Sequence, residues 1–181
     1  MGSSGLDELN EVIDSLSPAD RIARLAEIEL TLRRIEAETA LLVRAIERDG
    51  SYKADGHLGL GGFLRGEFRW SPKQVTARRR LGVLATEVPA IIDHLHSGAI
   101  GVDQAHAFGR AAANPRCGGQ LADHVEILLD DARVLSYQEF KLCIDRWERL
   151  ADADGADRDA QAHHDNRRFD LIHFDGVGMV S

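Results

Sequence analysis

The sequence predicts a mainly α protein: a multi-helix bundle with a long N-terminal helix and the start of a β-hairpin at the C-terminus. Apolar residues recur at steps of three and four along most of the chain, the spacing that lines one face of an α-helix. Helix-start signatures stand at Ser17-Pro18, Ser71-Pro72-Lys73-Gln74 and Ser136-Tyr137-Gln138-Glu139. Of the 181 residues 44% are hydrophobic but only 6% aromatic, which suits a Leu-, Ala- and Ile-rich interior of packed helices.

Leu6, Leu9, Val12, Ile13 and Leu16 share helical spacing and predict a short opening helix. Ser17 then reads as an N-cap, Pro18 as the first helical residue and Asp20 as a first-turn acid, and no breaker follows until Asp49-Gly50. Leu25, Ile28, Leu32, Ile35, Thr39, Leu42 and Ile46 alternate at steps of three and four, an a/d seam on a rod about 46 Å long. Such a seam suits either dimerisation or a long core helix. A short helix is expected over 57–65, softened by Gly59, Gly61 and Gly62, and a capped helix from Ser71 to about residue 85. Pro89 opens another, stopped at Ser97-Gly98; further helices are expected over 102–113, ended by Asn114-Pro115, and over 119–130. The Ser136 capping box opens a helix to about 151, followed by a polar helix over 156–166. The pattern then turns to alternation around Asp175-Gly176, a hairpin whose second strand stops at Ser181. The expected organisation is an N-terminal helical arm (1–50), a helical core (51–166) and the start of a truncated hairpin (167–181), a piece of a larger protein.

The formal net charge of −8 argues against a surface that coats nucleic acid throughout, but the charge is uneven. Residues 51–100 carry seven basic and four acidic side chains and form the only net positive quarter. Within them Arg65, Arg69, Lys73, Arg78, Arg79 and Arg80 face a single acid, Glu67, with Trp70 among them. A short helix, a turn and a capped basic helix also give the outline of a helix-turn-helix. The residues expected to touch double-stranded DNA are Arg65, Arg69, Lys73, Thr76, Arg79 and Arg80, with Arg79 and Thr76 pointing outward. The competing reading pairs these arginines with the acidic N-terminal helix.

No active site emerges. If Gly155 were the sixth position of a calcium loop, the first and twelfth would be Leu150 and Gln161, where carboxylates are needed. His163 and His164 hint at an HNH nuclease, but neighbours on a helix diverge by roughly 100° and do not converge on one metal. His94 and His96 fail for the same reason, and His57, His106 and His124 stand alone. Cys117 and Cys143, the only cysteines, form no C-x-x-C pair, so neither a disulfide framework nor a zinc knuckle is expected. No catalytic residue, metal or cofactor is expected. The lack of a long apolar run or signal-like N-terminus points away from a membrane and toward the cytoplasm.

The segments DGHLGLGGFLRG (55–66), RWSPKQVTARRRL (69–81), GAIGVDQAHAFGRAAANPRC (98–117) and SYQEFKLCIDRWERLADADGADRDAQAHH (136–164) resemble the bacterial 13E12-repeat family. Its N-terminal part is catalogued as domain of unknown function 222, and its longer members end in an HNH endonuclease domain. The chain departs from the family pattern at Phe63, where Trp is usual, and at Gly59, where Ser or Thr is usual. It also lacks the nuclease motif, so no family catalytic residue has a position here. The resemblance implies a non-catalytic helical module that positions or regulates a nuclease and contacts DNA. The alternative is a dimerisation or partner-binding module without nucleic-acid contact, working through Leu25, Ile28, Leu32, Ile35, Leu42 and Ile46. An autonomous metal-dependent nuclease is disfavoured by the ligand geometry.

Overall fold

The computed structural model describes residues 4–153, and these are mainly helical, with no strand among them. The polar helix expected over 156–166, the hairpin over 167–181 and the His163-His164 pair lie outside the described residues. Helix α1 spans Gly5–Ser15 and is started by a Ser4/Asp7 capping box. Helix α2 spans Pro18–Asp49; the Ser17 hydroxyl accepts from Asp20 N, and Gly50 ends the helix at φ 69°. That left-handed conformation is one a side chain would disfavour, so the Asp49-Gly50 stop has a backbone cause.

Helix α3 spans Leu60–Phe68, three residues later than expected at its start. The turn at Gly56 (φ 79°) keeps His57 and Leu58 outside the helix, and extended Gly59 becomes the cap. Helix α4 spans Pro72–Glu87 behind a complete Ser71/Gln74 capping box, α5 spans Pro89–Ser97 with Gly98 as its left-handed cap, and α6 spans Val102–Ala112. A single 3-10 turn at Gly118–Gln120, rather than an α-helix from 119, leads into α7, Leu121–Val134. The last helix, α8, covers 137–153, and the Glu139 carboxylate accepts from Ser136 N at 3.0 Å as its capping box requires.

Helix α4 is the middle of the bundle and packs against α2, α3, α5 and α6. Its buried Leu81 and Leu84 join Ile91, Leu95, Phe108 and Leu129 in the main core, closed by Phe140 and Ile144 of α8. A smaller cluster of Val43, Leu60, Leu64 and Val75 ties α3 to α2 and α4, flanked by Trp70. The close approach of α2 and α4 explains Gly82, where a Cβ would lie 3.1 Å from Ala40 O. Gln104, though buried, is satisfied: it accepts from Gly101 N and donates to Ala132 O and Leu135 O, tying α6 to the end of α7.

Helix α2 ends at Asp49, where the N-terminal arm was expected to end, but only its first half is an arm. Its second half is part of the core, through buried Glu36, Ala37, Ala40 and Val43. Contact with the bundle starts near Leu30, whose Cδ1 lies where a Gly98 Cβ would be, and Arg33 donates to Gly98 O at 2.8 Å. Before that point α2 is exposed, and α1 has no buried residue. The predicted seam is not the core face: Leu25, Ile28, Leu32, Ile35 and Leu42 are exposed, and Thr39 and Ile46 are half-buried, Ile46 against the smaller cluster. The physical reason is size, since small Ala37 and Ala40 let α2 approach α4 closely and turn the bulky stripe outward. Among the described residues no helix is long and apolar enough to cross a membrane.

Candidate functional site: a basic cleft and an apolar arm

The basic segment folds as expected locally but not as a free recognition helix. Helix α4 packs against α2 and α6 and buries Val75, Leu81, Gly82 and Leu84, while Pro72, Lys73, Gln74, Thr76 and Arg79 stay exposed.

Two of the three consecutive arginines are taken up by α2. Arg78 donates from Nε to Glu36 Oε1 at 2.9 Å and from its terminal nitrogen to Oε2 at 2.8 Å, and stacks 4.2 Å from the centre of the Trp70 ring. Arg79, expected to point free, ion-pairs with Glu47, which Arg44 also contacts at 3.4 Å. The pairing of arginines with the acidic N-terminal helix is therefore real for Arg78 and Arg79. Arg65 and Arg69 remain exposed, with no ion pair among the described residues; Arg69 adopts φ 55° at the end of α3.

Lys73, Thr76 and Arg80 come together with His106, Arg110 and Tyr137 around one cleft of about 730 Å³ between α4, α6 and the first turn of α8. The Thr76 hydroxyl donates to Pro72 O at 3.0 Å. Arg110 pairs with Asp145, which also receives Lys141, so two cations share one carboxylate beside the cleft. The histidine read as isolated, His106, belongs here, with Nε2 3.8 Å from Glu36 Oε1. Burial is the main cause that pushes its pKa below the usual value; Glu36 and Asp103 oppose the shift and Arg78 adds to it. His106 thus remains neutral at neutral pH. Sequence reading missed His106, Arg110 and Tyr137 because they lie some thirty to sixty residues from the basic segment; the only local signal is that Asp103, His106 and Arg110 share a face of α6.

The remaining candidates have ordinary partners. His94 and His124 place Nδ1 against the carbonyls of Ala90 and Gln120, one turn earlier in their helices. Asp152 of the rejected calcium pattern pairs with Arg116 at 2.7 Å. Burial, then Glu148 and Asp152, pushes the Cys117 thiol up, away from the thiolate form that reacts. Among the described residues no group of three or more His, Cys, Asp or Glu could hold a metal ion.

The second candidate surface is the arm. Among the described residues, eleven of the eighteen exposed large hydrophobics lie between Leu6 and Leu42, so the apolar surface is concentrated rather than scattered. Leu9, Val12, Ile13 and Leu16 of α1 and its exit face Leu25 and Ile28 of α2 across an open apolar groove of about 670 Å³. Arg21 fixes the corner by donating to Ile13 O and Asp14 O, both at 3.0 Å. Comparison with known proteins finds no family model, curated protein or solved structure that matches this chain, so function is argued from the residues themselves.

Proposed function

We propose that this chain is a non-catalytic helical interaction module that self-associates through its N-terminal arm. The observation that carries this reading is the exposed stripe of Leu25, Ile28, Leu32, Ile35 and Leu42, continued onto Ile22 and α1. The stripe keeps a/d spacing on a 32-residue helix, the pattern that two identical helices bury against each other. Arg24 and Glu29 flank it at positions that meet across a parallel pair, with opposite charge. Pairing along the stripe would bury on the order of 1,500 Å², the size class of a stable interface. This is the dimerisation module offered above as the alternative to the role that the family resemblance implies.

Sedimentation tests it. The wild type should be a dimer at tens of micromolar, and the Leu32→Asp/Ile35→Asp variant a monomer with unchanged helical content, because both side chains are exposed and neither belongs to the buried core. A monomeric wild type at high micromolar concentration would remove the reading.

A second reading, contact with double-stranded DNA, is favoured by Lys73, Thr76 and Arg80 lining one cleft, with Arg65 and Arg69 exposed nearby. Contact through these cations is to the phosphate backbone and carries little sequence preference. Replacing Arg69, Lys73, Arg79 and Arg80 with Ala should lower the salt slope of duplex binding by about three units, because Arg79 is already engaged by Glu47. An unchanged slope would eliminate this surface as the contact.

A further inference from the structure

Five arginines are half-buried among the described residues, and four of them have an acceptor: Arg33 on Gly98 O, Arg44 on Thr86 and Glu47, Arg78 on Glu36, and Arg110 on Asp145. The fifth, Arg80, has none. Its stem packs against α6, where Arg80 Cβ lies 3.2 Å from the position of a Gly109 Cβ; Arg80 lines the α4–α6–α8 cleft and also a smaller one with Arg44, Glu47 and Arg79, without an ion pair to Glu47. None of its nitrogens is sealed from solvent. A guanidinium held by its stem but left without a counter-charge has lost part of its hydration and gained no partner.

Its surroundings add positive charge. Lys73 lines the same cleft, also without an ion pair among the described residues, and Arg110 shares its only carboxylate with Lys141. Tyr137 lines the cleft from α8, and its hydroxyl has no hydrogen-bond partner among the described residues. Among the described residues Asp103 is the only acid in the lining. In a chain of net charge −8, a recess with this balance is a local reversal of the protein's field.

We propose that this cleft binds a phosphate-type oxyanion, with Arg80 as its two-pronged donor and Lys73 as its second charge. The planar guanidinium donates two parallel N–H bonds to two oxygens of a tetrahedral anion, the ammonium supplies a point charge to a third, and Tyr137 offers a neutral donor. The phosphate comes either from a small phosphorylated compound or from a nucleic-acid backbone. The duplex reading above supplies the second of these sources, and the cleft itself does not depend on it.

Calorimetric titration of the full chain with sodium phosphate, against sodium chloride of matched ionic strength, tests the proposal. The wild type should bind saturably, and Lys73→Gln/Arg80→Gln should weaken binding at least about tenfold. Arg65→Gln/Arg69→Gln, equally charge-reducing but outside the cleft, should bind phosphate as the wild type does. Should the double variant fail to fold, Lys73→Gln alone, at an exposed position, must still weaken binding. The absence of saturable binding by the wild type, or equal binding by the cleft variants, overturns the proposal. If phosphate binds and a short duplex competes for it, the source is a nucleic-acid backbone. If phosphate binds and the duplex does not compete, the cleft serves a small phosphorylated compound, and the duplex reading falls while the cleft stands.

Discussion

Replacing Arg78 with alanine should destabilise the fold by on the order of 3 kcal/mol, measured by urea unfolding. Glu36 is only 8% exposed, and Arg78 makes its two strongest hydrogen bonds. Without the guanidinium the carboxylate is left in a recess beside His106 and Trp70, which neither neutralises it nor lets water in. Loss of one partner of a buried pair commonly costs about 3–5 kcal/mol; the lower end applies because the Arg78 side chain remains 22% exposed. The variant should also titrate His106 at higher pH than the wild type, since a positive neighbour is removed while the negative one stays. The pair itself need not be strongly stabilising. Glu36→Met combined with Arg78→Met should recover most of the loss, because apolar side chains of similar volume avoid the desolvation of two charges. A cost below about 1 kcal/mol for Arg78→Ala would show that water reaches Glu36 and that the pair is a surface one.

Phe140→Ala should cost about 3–5 kcal/mol, a large part of the stability of a domain this size. The Phe140 ring is fully buried and lies 5.1 Å, centre to centre, from the Phe108 ring, equally buried on α6. Truncation removes the transfer free energy of an aromatic ring and leaves a cavity that helices held on several sides cannot fill by collapse. The consequence extends to the cleft, since α8 carries Tyr137 and the Asp145 that engages Arg110. Unfolding followed by fluorescence of Trp147, half-buried on the same helix, should lose its transition at lower urea in Phe140→Ala, and only slightly lower in Phe140→Leu. Equal stability of Phe140→Ala and the wild type would mean that α8 is not part of the cooperative unit.

Helix starts were legible wherever a short-range device announced them. Ser17, Ser71 and Ser136 cap the helices they were expected to cap, and Gly50 and Gly98 stop theirs in the left-handed conformation. The beginning of α3 was misread because three glycines within four residues leave no cap side chain to mark it; the turn at Gly56 moved it downstream. The candidate site was legible only in part. Arg65, Arg69, Lys73, Thr76 and Arg80 lie on the surface or in the cleft, whereas Arg79, expected to be free, is held by Glu47, thirty-two residues away. The other wall of the cleft, His106, Arg110 and Tyr137, has no local pattern linking it to Lys73.

What the sequence determined by itself is the mainly helical make-up of the described residues: caps, proline at the first turn and glycine stops act within one helical turn, so neighbouring residues suffice to read them. Two things only the tertiary structure decided. One is which face of α2 is buried: Ala37 and Ala40 seat against α4 at Gly82, because close backbone approach needs small residues on both helices, and this leaves the leucine and isoleucine stripe outside. The other is which cations are free, because a charge is neutralised by whatever carboxylate the fold brings within a few ångströms. The fold brings Glu36 to Arg78 and Glu47 to Arg79, and brings none to Arg80.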